Sequence, residues 1–397
     1  MTTTIKNEQK KLNVPNSTDE GNAIRNVPHL RFPEFTGEWE KCKFRDVCSI
    51  STGNKNTQDK IDDGIYPFYV RSQTVERINS WTFDGEAILT AGDGVGVGKV
   101  FHHTYGKIGV HQRVYILSDF KCDANYLFHF FSSKFYNRVK RMSAKNSVDS
   151  VRKEMITDMP LSLPSHQEQV KIGHILSLLD ERIATQTKII DRLQTLIKGI
   201  NKHVFTSNGV NYKLEELCEI RSGYSGNQLT SKRGLKVSRI ETISGHKVNM
   251  ERVGYVAPFE SSENYRLQVG DILFSNINSV EYIGNTAFID KDYNLYHGMN
   301  LLRLIPNYKV VMPFYLYLLF NTNRVLNRFK TICNKAVSQA SINQTELGKI
   351  VIQIPDKNAQ KQICELYQAL YAKLESEKYT NSLFQNQKQY LLRQMFI

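Results

Sequence analysis

One stretch of sequence occurs twice in this chain, the second time close to the C-terminus. LPSHQEQVKIGHIL begins at Leu163 and IPDKNAQKQICELY begins at Ile354, an offset of 191 residues. The same offset continues without a gap to Phe205 in the first copy and Phe396 in the second. An internal repeat restricts the chain to folds in which two similar units follow one another.

Both copies continue as long amphipathic segments. Steps of four and three residues from Ile172 and from Ile363 meet mostly apolar side chains, and both series reach a polar residue at the same step, Gln186 and Glu377. This period of 3.5 predicts two coiled-coil helices, each of about 40 residues and roughly 60 Å. Because one helix cannot bury its own apolar stripe, we expect the two to pair antiparallel. The predicted interface residues are Ile172, Leu176, Leu179, Ile183, Ile190, Ile363, Leu370, Leu374, Phe384 and Leu391.

The helix starts carry capping residues. Ser165 followed by Glu168 has the pattern of a capping box. Asp356 can cap the second helix, but its third residue onward is Ala359, so a simpler cap is expected there.

The segments that precede the two helices also correspond, although their offsets drift. KFRDVCSISTG from Lys43 matches KLEELCEIRSG from Lys213, and GEAILT from Gly85 matches GDILFS from Gly270. Each segment therefore predicts a mixed domain of short strands and helices, followed by one long helix. The predicted fold class is α+β with a pseudo-twofold internal repeat, in which two α/β domains are separated and followed by the two long helices. The predicted boundaries are a polar tail over 1–27, a domain over 28–163, a helix over 164–206, a second domain over 207–355 and a helix over 356–397.

Charge and cysteine usage narrow the class of protein. The chain has 52 Lys and Arg against 39 Asp and Glu, a net charge of +13, which favours a polyanion such as nucleic acid. The longest apolar run, Val310 to Phe320, is about half of the roughly 20 residues of a membrane span, so we expect a buried helix and no membrane partner. The six cysteines include no C-x-x-C pair, which is typical of a reduced, cytoplasmic protein.

These features together resemble the specificity subunit of type I restriction–modification systems. The resemblance rests on VPHLRFPEFTGEWE (27–40), on the P-x-x-x-[EA]-Q opening of both helices and on the order of domain, helix, domain and helix. It implies that the two domains are target recognition domains, each reading one half of a split, asymmetric DNA site. It also implies that the helices set the spacing and dock two modification (methyltransferase) subunits.

The resemblance assigns the chemistry to partners. Double-stranded DNA, the modification subunits and restriction (endonuclease/translocase) subunits are the expected partners, and adenine methylation and cleavage would be theirs. S-adenosylmethionine, ATP and Mg are expected on those partners, with no cofactor, no catalytic residue and no metal site in this chain. The sequence itself has no N/D-P-P-Y/F methyltransferase motif, and GDGVGVGK (92–99) matches neither phosphate-binding glycine pattern.

Residues that could contact DNA were sought at matching positions in both domains. Lys and Arg suit phosphates, while Arg, Lys, Asn, Gln and Ser can reach base edges. Loops that follow corresponding strands differ between the domains at nearly every position, so the two half-sites should differ as well. The candidates are Asn54, Lys55, Asn56, Arg71, Ser72, Gln73, Lys99, His111, Arg113, Lys145 and Asn146 in the first domain, and Asn227, Arg239, Asn276, Asn278, Asn300 and Lys335 in the second.

Two other functions are compatible with parts of the sequence. One is an enzyme, either a stand-alone nuclease or a methyltransferase, which the missing motifs disfavour. The other is a protein-interaction scaffold built on the coiled coil, which the net charge of +13 disfavours.

Overall fold

The structure is a computed structural model, and it describes residues 26–143, 150–205, 209–335 and 339–397. The chain forms two compact units: unit 1 contains residues up to 185 together with 381–397, and unit 2 contains 186–380. Because each long helix is shared between the units, the domain boundaries inferred from the sequence stay a prediction. All but the last two residues of the predicted tail lie outside the described residues.

Unit 1 is built on a six-stranded sheet in the order β2-β7-β5-β6-β3-β4. Neighbours in this sheet are antiparallel except β3 and β6, which run parallel. A separate antiparallel pair, β1 with β8, joins the two ends of the domain. The elements are β1 Glu40–Lys43, α1 Phe44–Val47, β2 Ser49–Thr52, β3 Tyr66–Tyr69, β4 Val75–Ile78, β5 Phe83–Ala91, β6 Phe101–Val110, β7 Val114–Ser118, α2 Ala124–Met142, α3 Lys153–Thr157, β8 Pro160–Leu163 and α4 His166–Val204.

Unit 2 repeats this strand order, but the counterparts of the long strands β5 and β6 have only three residues each. Its sheet runs β10-β16-β13-β15, the counterpart of β2-β7-β5-β6, and the pair β11-β12 stands for β3-β4. The pair β9-β19 stands for β1-β8. The elements are β9 Val210–Lys213, α5 Leu214–Leu217, β10 Cys218–Ser222, β11 Leu235–Val237, β12 Gly254–Val256, β13 Ile272–Phe274, β14 Ile277–Asn278, β15 Thr286–Phe288, β16 Leu302–Pro306, α6 Pro313–Phe320, α7 Asn323–Ile332, β17 Asn334–Lys335, β18 Ala340–Ser341, α8 Gln344–Gly348, β19 Val351–Ile354 and α9 Lys357–Gln394. The predicted mixed fold with an internal repeat is thereby confirmed.

The long helix α2 of unit 1 is replaced in unit 2 by two shorter helices. The apolar run predicted as a buried helix is α6, in which Tyr315 to Phe320 are buried. The helix ends at Phe320 with Asn321 as its C-cap. Thr322 then caps α7, because its hydroxyl accepts a hydrogen bond from the backbone N–H of Val325 at 3.4 Å.

The starts of α4 and α9 agree with the predicted caps in part. Asp356 accepts from the backbone N–H of Ala359 at 2.9 Å, as expected. Ser165 accepts from the backbone N–H of Glu168 at 3.4 Å, but the second half of the predicted capping box is absent. The Glu168 carboxylate is buried and instead binds the Arg31 guanidinium through two contacts of 2.7 Å. This ion pair anchors the segment before β1 on the first turn of α4.

The glutamine repeated in both helix openings has one structural role in both units. In unit 1, the Oε1 atom of Gln169 accepts from the backbone N–H of Asp123 at 2.9 Å, and its amide donates to the carbonyl of Pro164 at 2.8 Å. In unit 2, Gln360 accepts from the N–H of Met312 at 2.7 Å and donates to the carbonyl of Pro355 at 2.9 Å. Asp123 and Met312 are the N-cap residues of α2 and α6. Each glutamine therefore ties the start of a long helix to the start of the domain helix beside it.

Within each unit, segments of the two long helices pack together in the core. In unit 1, Ile172 and Leu176 of α4 belong to the same apolar cluster as Leu391 of α9. In unit 2, Ile197 of α4 clusters with Leu374 of α9. Of the predicted interface residues, Leu179 and Phe384 also lie in the unit 1 cluster, Ile190, Ile363 and Leu370 lie in the unit 2 cluster, and Ile183 is half-buried.

The polar pair of the heptad pattern meets in unit 2. Gln186 donates through its amide to the carbonyl of Glu377 at 3.2 Å and contacts the carboxylate as well. Farther along, the Tyr367 hydroxyl binds the amide oxygen of Asn201. From Gln186 to Asn201 the residue numbers rise along α4, whereas their partners on α9 fall from Glu377 to Tyr367. The two segments therefore run antiparallel in this unit.

We expect replacement of either joint glutamine to destabilise the chain. Gln169→Leu or Gln360→Leu keeps the size of the side chain but leaves a largely buried N–H without an acceptor, a cost of about 1–3 kcal/mol. Gln167→Leu and Gln362→Leu, at exposed positions of the same helix turns, should change the free energy of unfolding by less than about 0.5 kcal/mol. Thermal and denaturant unfolding of the four variants measures this, and equal effects at joint and control positions would show that the joints do not stabilise the fold.

Candidate nucleic-acid interface

In both units a glycine brings the loop after the first sheet strand against the backbone of another segment of the domain. A Cβ atom at Gly53, after β2, would lie 2.1 Å from the carbonyl oxygen of Val110, and one at Gly223, after β10, would lie 1.9 Å from that of Gly298. Only glycine fits such an approach. Beyond the glycine, Lys55 forms an isolated parallel β-bridge with His111, and Tyr224 forms one with Gly298. The loops matched by sequence therefore occupy matching places.

In unit 1 two of the predicted arginines share one carboxylate that the sequence reading did not identify. Asp93 binds Arg71 at 2.8 Å and lies 3.7 Å from the Nε atom of Arg113. The Arg71 side chain is 45% exposed and that of Arg113 is 65% exposed, so both guanidiniums can also reach solvent. The group carries one net positive charge and holds two planar donors in place, which suits phosphate oxygens or a guanine edge.

His111 differs from the other candidates because it lies beneath this surface. Its side chain is only 5% exposed, and its Nδ1 atom accepts a hydrogen bond from the backbone N–H of Arg113 at 3.0 Å. Burial, together with the nearby charge of Arg71, lowers the pKa of His111 from its usual value, so the ring is neutral at pH 7. The structure thus gives His111 the role of supporting the loop of Arg113.

The polar residues after β2 are joined to the same loop. The Gln112 amide donates to the side chain of Asn56 at 2.7 Å, and the Gln112 backbone N–H donates to the carbonyl of Lys55 at 2.8 Å. Asn54 and Asn56 are exposed and Lys55 is half-buried. Gln112 was not among the predicted contacts, although its position between His111 and Arg113 could have suggested it.

The remaining candidates of unit 1 lie in the neighbouring loops. Ser72 and Gln73 are exposed beside Arg71, and the Ser72 hydroxyl donates to the carbonyl of Thr74 at 3.2 Å. Lys99 is exposed, and its amine lies 5.7 Å from the centre of the Tyr136 ring. Lys145 and Asn146 lie outside the described residues.

In unit 2 the predicted residues are spread over loops that correspond to those of unit 1. Arg239 follows β11 as Arg71 follows β3, and its guanidinium lies 3.5 Å from the Glu241 carboxylate. Asn227 is exposed, as is Asn300, which has a left-handed backbone with a φ of 66°. Lys335 lies in the two-residue strand β17.

Two asparagines of unit 2 already have partners within the domain. The Asn276 amide donates to the carbonyl of Ile342 at 3.4 Å, and that of Asn278 donates to the Ser275 hydroxyl at 3.1 Å. Both side chains are half-buried. Any contact with DNA would have to share these groups.

Unit 2 also contains a buried ion pair that sequence reasoning missed. Arg303 of β16 binds Asp271 at 2.6 Å, with side chains only 6% and 4% exposed. Burial raises the pKa of Asp271, although Arg303 acts in the opposite direction. In the matched register of unit 1, Ile116 occupies the place of Arg303. Arg303 borders a cleft of about 350 Å³ whose lining also includes Arg221, Asn264, His297 and Gln344.

Neither a metal site nor a membrane-spanning helix occurs among the residues that the structure describes. No group of three or more His, Cys, Asp and Glu side chains there could hold a metal ion. No helix there is long and apolar enough to cross a membrane.

A comparison with known protein families places the chain. The model described as the type I restriction modification DNA specificity domain matches residues 36–195 and again residues 207–383, which is more than half of the chain. The chain belongs to this family. The two matches follow the internal repeat, and the family resemblance inferred from the sequence is confirmed.

Individual members of the family are similar to different extents. A protein of Methanocaldococcus jannaschii assigned as the MjaX specificity subunit of a type I restriction enzyme is 43% identical over 158 residues, which cover 39% of this chain and 37% of that relative. The MjaVIII specificity subunit of the same organism is 26% identical over 379 residues, which cover 85% of this chain and 86% of that relative. The EcoDI specificity subunit of Escherichia coli is 26% identical over 169 residues, or 43% of this chain and 37% of that relative.

Solved structures support the fold independently. The S subunit of a type I restriction-modification system from M. genitalium has a TM-score of 0.65 at 16% identity, covering 94% of this chain and 99% of that one. A chain from a study of complex assembly and conformational transition in the type I R-M system has a TM-score of 0.54 at 15% identity, covering 90% and 97%. At such identities the likeness concerns the fold.

Proposed function

We propose that this chain is the DNA-reading specificity subunit of a type I restriction–modification complex. It would bind a bipartite, asymmetric target and direct adenine methylation and cleavage by partner subunits. One observation carries the proposal: two domains of the same topology present different side chains at matching loops. The group of Arg71, Asp93 and Arg113 in unit 1 has Arg239 with Glu241 as its counterpart in unit 2. Two different readers in one chain suit a target with two different halves.

The electrostatics of the chain support DNA as the ligand. A net charge of +13 attracts a polyanion, and phosphate contacts by Lys and Arg would contribute most of the sequence-independent affinity. Exposed Arg71, Arg113 and Arg239 add donors that can distinguish guanine in the major groove.

We further propose that the chain has no catalytic activity of its own. Burial raises the pKa of the Cys48 and Cys218 thiols to about 12, so neither forms a nucleophilic thiolate at pH 7. Two modification subunits, with S-adenosylmethionine, and restriction subunits, with ATP and Mg, would supply the chemistry. The cytoplasm is the proposed compartment, since all six cysteines are free thiols.

The function is tested by reconstitution. We expect that the chain together with its modification subunits methylates adenines within one two-part DNA motif, and that the modification subunits without it methylate no such motif. The chain alone, incubated with DNA and S-adenosylmethionine, should transfer no methyl groups. Single-molecule sequencing of the DNA reports the motif. Methyl transfer by the isolated chain, or the same motif without the chain, would contradict the proposal.

The two arginines that follow β3 and β11 should act on separate halves of the target. If each reads a guanine edge, Arg71→Ala relaxes one half-site by about 1–3 kcal/mol and Arg239→Ala relaxes the other. Arg77→Ala is the control, because it removes an exposed charge from β4 of the same unit as Arg71. Affinities for duplexes altered at each base pair give the profile. A uniform loss over all sequences, with the salt slope reduced by about one, would identify a phosphate contact instead.

A further inference from the structure

Val95 is the most exposed large apolar side chain among the described residues, at 97%. It occupies the centre of the 3-10 turn Gly94–Gly96 in the loop that joins β5 to β6. Single exposed apolar residues are common on protein surfaces, so exposure alone assigns no role. The shape of this loop and the residues around its base suggest a role for Val95.

The loop has a defined shape, and Val95 is the exposed apolar side chain in it. Gly94 has a φ of +75°, and a Cβ atom at Gly96 would lie 2.3 Å from the carbonyl oxygen of Arg71. Val97 and Val100, which follow in the same loop, are buried. A β-branched residue at the tip contributes nothing to this packing, because no neighbouring apolar surface is covered by it.

The base of the loop is attached to the arginine pair of unit 1. The backbone N–H of Gly92 donates to the carbonyl of Arg113 at 2.7 Å, and the carbonyl of Gly92 accepts from Val151 at 2.7 Å. Asp93, two residues before Val95, binds Arg71 at 2.8 Å. The loop that carries Val95 is therefore attached at its base to both arginines that can contact DNA.

The edges of base pairs in the major groove carry one apolar group that such a side chain can contact. Thymine carries a 5-methyl group there, next to the acceptors and donors that polar side chains read. We propose that Val95 contacts the 5-methyl group of a thymine in the half-site read by unit 1. This inference rests on the proposed function and names a contact within it.

The matching loop of unit 2 has a different apolar content. The segment between β13 and β15 exposes Val280 and Tyr282, at 37% and 47%. Unit 2 thus has a partly exposed valine beside a tyrosine where unit 1 has one almost fully exposed valine, so we assign the thymine contact to the half-site of unit 1 alone.

The test removes the two methyl-bearing groups separately and together. The full complex with modification subunits is assembled with the parent chain, with Val95→Ala, and with Ile65→Ala as the control. Ile65 is an exposed aliphatic residue at the opposite end of β3 from Arg71. Once the target motif has been mapped, each thymine of both half-sites is replaced in turn by deoxyuridine, which lacks only the 5-methyl group, and affinity is measured.

In the parent complex, we expect that replacing one thymine of a single half-site by deoxyuridine lowers the affinity roughly threefold to tenfold. This is the value of one buried methyl group. In the Val95→Ala complex that replacement should cost less than about twofold, while Ile65→Ala keeps the parent profile. The inference is overturned if no thymine position shows the loss, if the half-site has no thymine, or if Val95→Ala leaves the loss unchanged. These outcomes leave sequence-specific binding intact, whereas failure of the proposed function would abolish the motif itself.

Discussion

The amide joint at the start of each long helix is the contact on which the arrangement of this protein depends. Gln169 and Gln360 are almost fully buried, and each satisfies the N-cap residue of a domain helix and the carbonyl of its own preceding proline. A buried amide has few alternative partners, so it specifies one orientation of the helix start on its domain. The repeated P-x-x-x-[EA]-Q pattern contains the proline and the glutamine that form this joint.

Much of the fold could be predicted because the repeat and the heptad period are local properties of the sequence. The long helices, the cap at Asp356 and the mixed domain of strands and helices before each long helix followed directly. Other features depend on residues distant in sequence and had no local signal. Glu168 looked like half of a capping box, yet Arg31, far upstream, takes its carboxylate. The break between α6 and α7 lies at Asn321 and Thr322, within a stretch that had no helix-breaking glycine or proline.

In the candidate interface, too, local features could be predicted from the sequence and contacts between distant residues could not. Corresponding loops could be matched between the domains because glycines and strand ends align, as at Gly53 and Gly223. Which side chains meet could not be deduced, since Asp93, placed between Arg71 and Arg113, lies on a different loop from each. The sequence also did not indicate which of these side chains are buried. His111 was therefore predicted to contact DNA, although it is buried and supports the loop of Arg113 from below. The pair Arg303 and Asp271 shows that one domain can replace core residues by charges while it keeps the topology.

The central claim is that each domain reads its own half of the DNA target, independently of the other. The most direct measurement is methylation mapping with a chain in which residues 40–163 are replaced by a second copy of residues 210–354, each from the first strand of the domain to the end of its last. We expect that the half-site of the second domain is kept and that the same half-site now also replaces the one read by the first. Loss of both original half-sites, or survival of the half-site assigned to the replaced domain, would contradict it.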